Sequence, residues 1–182
     1  MGALDNQPSN VNYLSGVAFR FILRRTPKTV YFCQSAILPG VSLGGVSVAT
    51  PFGDIPQPGD KLVYNEMQIK FKVDENLGNW IELYDWMQGL GRPIDFEQTR
   101  KLVTSPVSQV FPDTREESVS RMKSDATLQI LNSARNVNLN VFFYGCFPTS
   151  LSELMFDSTY QDAAYLESTV SFRYRRFEIQ RI

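Results

Sequence analysis

At 182 residues the chain fits one domain, able to bury roughly 70% of its unfolded surface without disulfide or metal staples. Its net charge is −1 with 20% charged residues, which is not the basic profile of an electrostatic nucleic-acid binder. It contains no histidine, the commonest general base and metal ligand, and no apolar run long enough to span a membrane as a helix.

Residues 1–13 are polar and read as a flexible N-terminal arm, followed by one domain over 14–182. The start lacks a basic region followed by an apolar stretch, so a signal peptide is not expected, and Asn6 fails the myristoylation pattern. Val17, Phe19, Phe21 and Leu23 alternate with Ala18, Arg20 and Arg24, predicting a strand. Lys28 to Leu38 reads as a second strand, and Arg25-Thr26-Pro27 as the turn of a hairpin joining the two. Residues 40–60 are rich in Gly and Pro, with a brief Val46/Val48 alternation, and predict a weak edge strand or an extended loop.

Between Asp60 and Pro93 the period changes. Residues 61–73 read as one strand, in which Met67, Ile69, Phe71 and Val73 alternate with Gln68, Lys70 and Lys72 to give one dry face. From Leu77 the apolar residues fall at helical spacing, with Leu77, Trp80, Ile81 and Tyr84 as the expected packing stripe. Asp74 and Asn76 are candidate N-caps, and Gly89, Gly91 and Pro93 end the helix. Residues 94–123 read as a long loop with at most a short helical turn.

Ala126–Leu131 and Val137–Tyr144 predict a hairpin around Asn132–Asn136. Ser150-Leu151-Ser152-Glu153 has the pattern of a capping box opening one or two helical turns. Residues 168–174 are the last clear strand, and the apolar phase shifts after Arg175-Arg176, as a bulge would produce.

Chemistry is sparse. The carboxylate pairs Asp74/Glu75 and Glu82/Asp85 are better explained as caps and a solvated helix face than as acid–base catalysts. No metal-ligand cluster, nucleophile elbow or phosphate-binding loop is evident, so no catalytic, cofactor or metal residue is assigned. Cys33 and Cys146 sit in apolar runs and read as buried free thiols, a disulfide being the alternative. Arginines 24, 25, 173, 175, 176 and 181 form the one basic grouping, read as a solvated strand face or as ion pairs rather than a phosphate site. At 13% aromatic residues, the chain has more than one small core obviously needs, as subunit interfaces do.

Five features stand in a fixed order: Leu38-Pro39-Gly40, Gly59-Asp60, Val73-Asp74-Glu75 at the strand-to-helix junction, a helix ending near Trp86-Met87, and Gly145-Cys146-Phe147-Pro148-Thr149. In this order and spacing the chain resembles the tail tube proteins of contractile-tailed bacteriophages, over residues 17 to 180. The resemblance implies a mainly β fold, an antiparallel β-sandwich or barrel with one flanking α-helix. It further implies a structural virion protein without enzymatic activity. Six copies would form a ring, and rings would stack into a hollow tail tube in contact with sheath and baseplate proteins, through which double-stranded DNA passes. A baseplate or neck component of similar fold is the near alternative, and a carbohydrate- or partner-binding β-sandwich module the distant one. A conduit should not grip phosphates, so neutral or acidic side chains on wet strand faces are the expected lumen lining: Asn138, Asn140, Glu167, Thr169 and Ser171.

Overall fold

In the computed structural model, residues 12–91, 95–106, 121–157, 159 and 165–182 are described. The chain is mainly β, with open antiparallel sheets. The fold turns on one strand. β7 (Val137–Leu151) is 15 residues long and serves two sheet halves. Its first part pairs with β6 (Ser124–Leu131) and with β9 (Arg176–Arg181). Its last part pairs with β8 (Glu167–Arg173). Gly145, at φ 65°, lies between the two parts. A left-handed backbone there re-aims the strand, and glycine adopts it without the Cβ clash other residues suffer.

The first half is completed by β1 (Phe19–Leu23), giving the order β1-β6-β7-β9. The second half runs β7-β8-β5-β2, with β5 at Met67–Lys72 and β2 at Cys33–Ala36. Alternation places one face of each strand inward. Phe21 and Leu23, Met67, Ile69 and Phe71, Leu128, Val141 and Phe143, and Val170 and Phe172 form one buried cluster. Tyr174 and Phe177 pack on Phe143 at ring distances of 5.1 and 5.7 Å and hold the start of β9 against the core.

Several expectations are corrected. Residues 17–38 are not a hairpin, because Pro27 opens a short helix, α1 (Pro27–Tyr31), where its fixed φ and missing N–H suit the first turn. β1 and β2 then diverge into different halves, pairing with β6 and β5. Residues 41–64 form not a weak strand but a long hairpin, β3 (Val41–Thr50) with β4 (Gly53–Tyr64). Asn65 and Glu66 separate it from β5, so the segment from Lys61 to Val73 is not one strand. The Ser150–Glu153 capping box opens no helix: Ser150 and Leu151 belong to β7, held by β8. The phase shift near Arg175 is a turn into a separate strand, β9. The predicted hairpin 126–144 is present as β6 and β7, with residues 132–136 as its turn.

The flanking helix is α2 (Gly78–Gly91), joined by α1 and by α3 (Glu97–Thr104), so more than one helix flanks the sheets. Its inward face differs from the expected stripe. Asn79, Leu83, Trp86 and Gly89 are buried, Trp80 is half-buried against the core, and Ile81 and Tyr84 are 44% and 43% exposed. Leu77 precedes the helix, at φ 56°. The reason lies at the junction with β5. Asn79, fully buried, accepts from the Asp74 N–H at 3.2 Å and donates to the Lys72 carbonyl at 2.7 Å. Its carbonyl takes the Thr29 hydroxyl at 3.1 Å. Fixing Asn79 inward rotates Ile81 and Tyr84 out, because residues 100° apart per step cannot all share one face. Gly89 is buried because α3 crosses there, with the Leu102 side chain at contact distance and the Thr99 hydroxyl bonded to the Gly89 carbonyl at 2.8 Å.

The expected N-terminal arm lies largely outside the described residues, as does half of the 94–123 loop; within the described half, residues 97–104 form the helix α3 rather than a loop. Cys33 and Cys146 are free thiols, and burial pushes Cys33 up to about 11.

Candidate assembly surfaces

Among the described residues, three surfaces stand out as unfilled. The first is the wet face of the β1-β6-β7-β9 half. Strand register sets its side chains in rows. One row is Arg20, Gln129, Asn140 and Gln180; the next is Ile22, Thr127, Phe142 and Glu178. Gln129 donates to Asn140 at 3.2 Å, tying β6 to β7. Tyr144 donates to Glu178 at 3.1 Å, and Arg176 pairs with the same carboxylate at 3.2 Å. Both outer edges of this half, β1 and β9, lack a strand partner among the described residues.

The second surface is the β3–β4 arm. Its strands pair with each other and with no other strand among the described residues. Val46 and Val48 alternate on one strand, with Ile55 opposite Val48; all three are about half exposed. Phe52, in the turn, is fully exposed. A two-stranded hairpin is at best marginally stable alone in water, so an arm of this length needs something to lie against.

The third is a cleft of about 460 Å³ between α2 and α3, lined by Arg25, Glu82, Asp85, Trp86, Gln98 and Leu102 among others. Arg25 is buried rather than on a solvated strand face, as the basic grouping had suggested. Its guanidinium lies 5.2 Å from the Trp86 ring centre, and burial lowers its pKa from the ordinary value. Glu82 is held above its usual range by burial, partly offset by hydrogen bonds from Thr29 and by the charge of Lys28.

The expected lumen residues do not come together on one half. Asn138 and Asn140 lie on β7 in the first half, whereas Glu167, Thr169 and Ser171 lie on β8 in the second. Ser171 is 6% exposed, in register between Gln68 and Ser150. Glu167 is occupied by Lys70, in an ion pair across the β5–β8 ladder. Arg173 pairs with Glu66 at 2.8 Å, and Lys72 sits 4.6 Å from the Tyr165 ring centre. The residues that do accompany Asn140, namely Arg20, Gln129 and Gln180, escaped the sequence reading. Their alternation was visible, but the pairings β1–β6 and β7–β9 join segments far apart in sequence.

Among the described residues no group of three or more acidic or cysteine side chains is placed to hold a metal, and no helix is long and apolar enough to cross a membrane.

Open antiparallel sheets sharing one long strand, with flanking helices and a projecting hairpin, define a tail-tube-like fold. The chain belongs to the phage tail tube protein family, whose sequence model matches residues 10–180. That membership makes it a component of the virion tail. It is 26% identical over 180 residues to the tail tube terminator protein of Enterobacteria phage T4, covering 97% of this chain and 90% of that one. Solved structures share the fold. The cap that terminates the tube of the anti-feeding prophage superposes with a TM-score of 0.60 at 17% identity, over 100% of both chains. A protein of the sheath/tube terminator of the PVC extracellular contractile injection system gives 0.58 at 18% identity, over 94% of this chain and 99% of that one. One from the PVC sheath-tube complex gives 0.56 at 19% identity, over 94% and 95%.

Proposed function

We propose that this chain forms a six-membered ring that ends the tail tube, with the wet face of the β1-β6-β7-β9 half turned to a bore that passes double-stranded DNA. The observation that carries the reading is the pair of open edges on that half, β1 on one side and β9 on the other. An exposed strand edge invites another strand. Pairing β9 of one copy with β1 of the next continues the sheet head to tail, and a head-to-tail contact generates a ring when its rotation closes. The family is a structural one, so the role is architectural rather than enzymatic, and the domain from residue 14 onward acts as one assembly unit.

The wet face suits a conduit. Gln129, Asn140 and Gln180 are neutral and Arg176 is neutralised by Glu178, while Arg20, exposed at the β1 end of the same row, adds a cation to this largely neutral face. Each arginine free to neutralise a phosphate would add affinity and slow passage. Asn138 extends this face and keeps its lumen role, whereas Glu167 and Thr169 lie on the other half and fall outside the bore.

The end-ring position is favoured over a repeating tube subunit by the similarity to the T4 terminator across nearly all of both chains. The family description as a tail tube protein favours the repeating subunit. Sheath and baseplate proteins are the partners at such a position. A tube-elongation assay separates the two readings. Added to growing tubes of the same phage, an end ring stops elongation at substoichiometric amounts, whereas a repeating subunit lengthens the tubes.

A further inference from the structure

The β3–β4 arm and the edge strand β9 meet at one point inside the protomer, and each is tied to the body there by one ring. Every aliphatic and aromatic side chain of β3 and β4 is exposed except Tyr64, the last residue of β4. In β9 only Phe177 is partly buried, while Ile179 on the same face is 55% exposed. The Tyr64 and Phe177 rings touch edge-on, with their centres 5.6 Å apart.

Tyr174, in the turn between β8 and β9, closes the cluster. Its ring lies 5.9 Å from Tyr64, 6.1 Å from Phe177 and 5.1 Å from the buried Phe143. Its hydroxyl donates to the Asn65 carbonyl at 2.8 Å, joining the β8–β9 turn to the foot of the arm across 109 residues of sequence. Burial, with Cys146 and Tyr64 nearby, pushes that hydroxyl up to about 12, so it stays a donor at neutral pH. The Asn65 N–H donates to the Gly40 carbonyl at 3.0 Å, which holds both strands of the arm at the same foot. Arg173 and Glu66 pair beside it at 2.8 Å, but their exposure makes that ion pair a minor contribution.

These contacts decide how the two elements can move. Among the described residues β9 pairs only with β7, and the strands of the arm pair only with each other. Elements with so few buried contacts open at low cost. Here neither swings away without parting the same rings. Lifting the arm strips Tyr64 from Phe177 and Tyr174, and lifting β9 strips Phe177 from Tyr64 and Phe143. Edge-on and tilted ring pairs stabilise beyond the area they bury.

We propose that Tyr64, Tyr174 and Phe177 form a latch that couples the direction of the arm to the seating of the β9 edge. Such coupling is reciprocal: whatever holds the arm steadies β9, and whatever holds β9 steadies the arm by the same factor. The latch belongs to the single protomer and stands apart from the ring reading. Its consequence for assembly rests on that reading: a subunit whose arm is held presents a β9 edge already set for the β1 of the next.

Hydrogen exchange of the full chain, read by mass spectrometry, tests this. Sedimentation of the same samples ensures that wild type and variants are compared in one oligomeric state. Tyr64→Ala should speed exchange over residues 176–182 on the order of tenfold, the worth of the lost ring pairs, while β5 and β6 keep their rates. Phe177→Ala should speed exchange over residues 62–66 to a similar extent. Tyr174→Phe keeps the rings and removes only the bond to Asn65, so it serves where an alanine variant fails to fold. It should raise exchange in both segments roughly threefold, the low end of a hydrogen bond's worth. Unchanged exchange of β9 in Tyr64→Ala, a rise over 62–66 alone in Tyr174→Phe, or an equal rise over all strands would each overturn the coupling. Coupling found in protein that forms no rings leaves the latch standing and sinks the ring reading. Rings whose β9 exchange ignores Tyr64 do the reverse.

Discussion

The carboxylate of Asp125 accepts a hydrogen bond from the Gly145 N–H at 2.9 Å, at the point where β7 passes from one sheet half to the other. Gly145 there is left-handed, at φ 65°. The side chain of one strand thereby fixes the bend of the next, and the bend decides how the two halves share their core. A Cβ on Gly145 would meet only the Lys123 side chain, at 3.7 Å, which is ordinary contact. The cost of Gly145→Ala is therefore conformational, about 1–2 kcal/mol. Urea denaturation should show that loss at an unchanged m-value.

Asp125 also makes stability depend on pH. Burial raises its pKa above the ordinary 3.8, with the Gly145 bond pulling the other way. The folded state thus holds the proton more tightly than the unfolded chain. The stabilisation from the neutral acid is full below pH 3.8 and is lost as pH rises through the folded value. Asp125→Asn keeps an acceptor for Gly145 and never ionises. Denaturation series from about pH 3 to about pH 7 should show this part of the downward slope removed in the variant. An unchanged slope would refute it.

Trp86 and Tyr84 separate the inward and outward faces of α2. Trp86 is 2% exposed, donates to the Met122 carbonyl at 2.8 Å and lies under Arg25. Trp86→Ala should cost about 3–5 kcal/mol. Tyr84 is 43% exposed and stacks on Trp80 at 5.3 Å, so Tyr84→Ala should cost under about 1 kcal/mol. Comparable losses in the two thermal melts would contradict the observed helix face.

Gly59 tests whether the arm is separable from the body. A Cβ there would run into the main chain of Gly44 on the opposite strand. Gly59→Val should force the β3–β4 pair apart. Its strands do not pair with the core sheets, so the melting temperature of the body should hold within a degree or two while assembly fails. Sedimentation and differential scanning calorimetry of one preparation check both halves of the statement.

What could be read in advance followed from local periodicity. The dry face of Met67, Ile69 and Phe71 and the hairpin of β6 and β7 show in the order of residues, because each strand buries one face and the second pairs across a five-residue turn. Partners far apart in sequence leave no such trace, so β1 with β6, β2 with β5 and β7 with β9 were not legible. The inward face of α2 was misread because two of its buried positions are Asn79 and Gly89, chosen for hydrogen bonding and for the close approach of α3 rather than for apolar area. The arm was misread for the opposite reason: apart from Tyr64 at its base, which packs on the Tyr174 and Phe177 rings, its residues are largely exposed on both faces, so no alternation of dry and wet marks it as a long hairpin. Arg25 looked like a surface charge because nothing in its neighbourhood in sequence announces Trp86 beneath it.

Cryo-electron microscopy of the purified protein tests the central claim most directly. The account predicts six-fold rings in which β9 of each subunit pairs with β1 of the next and Gln129, Asn138 and Asn140 face the bore. Monomers at high concentration, or rings that leave the β1 and β9 edges in solvent, would contradict it.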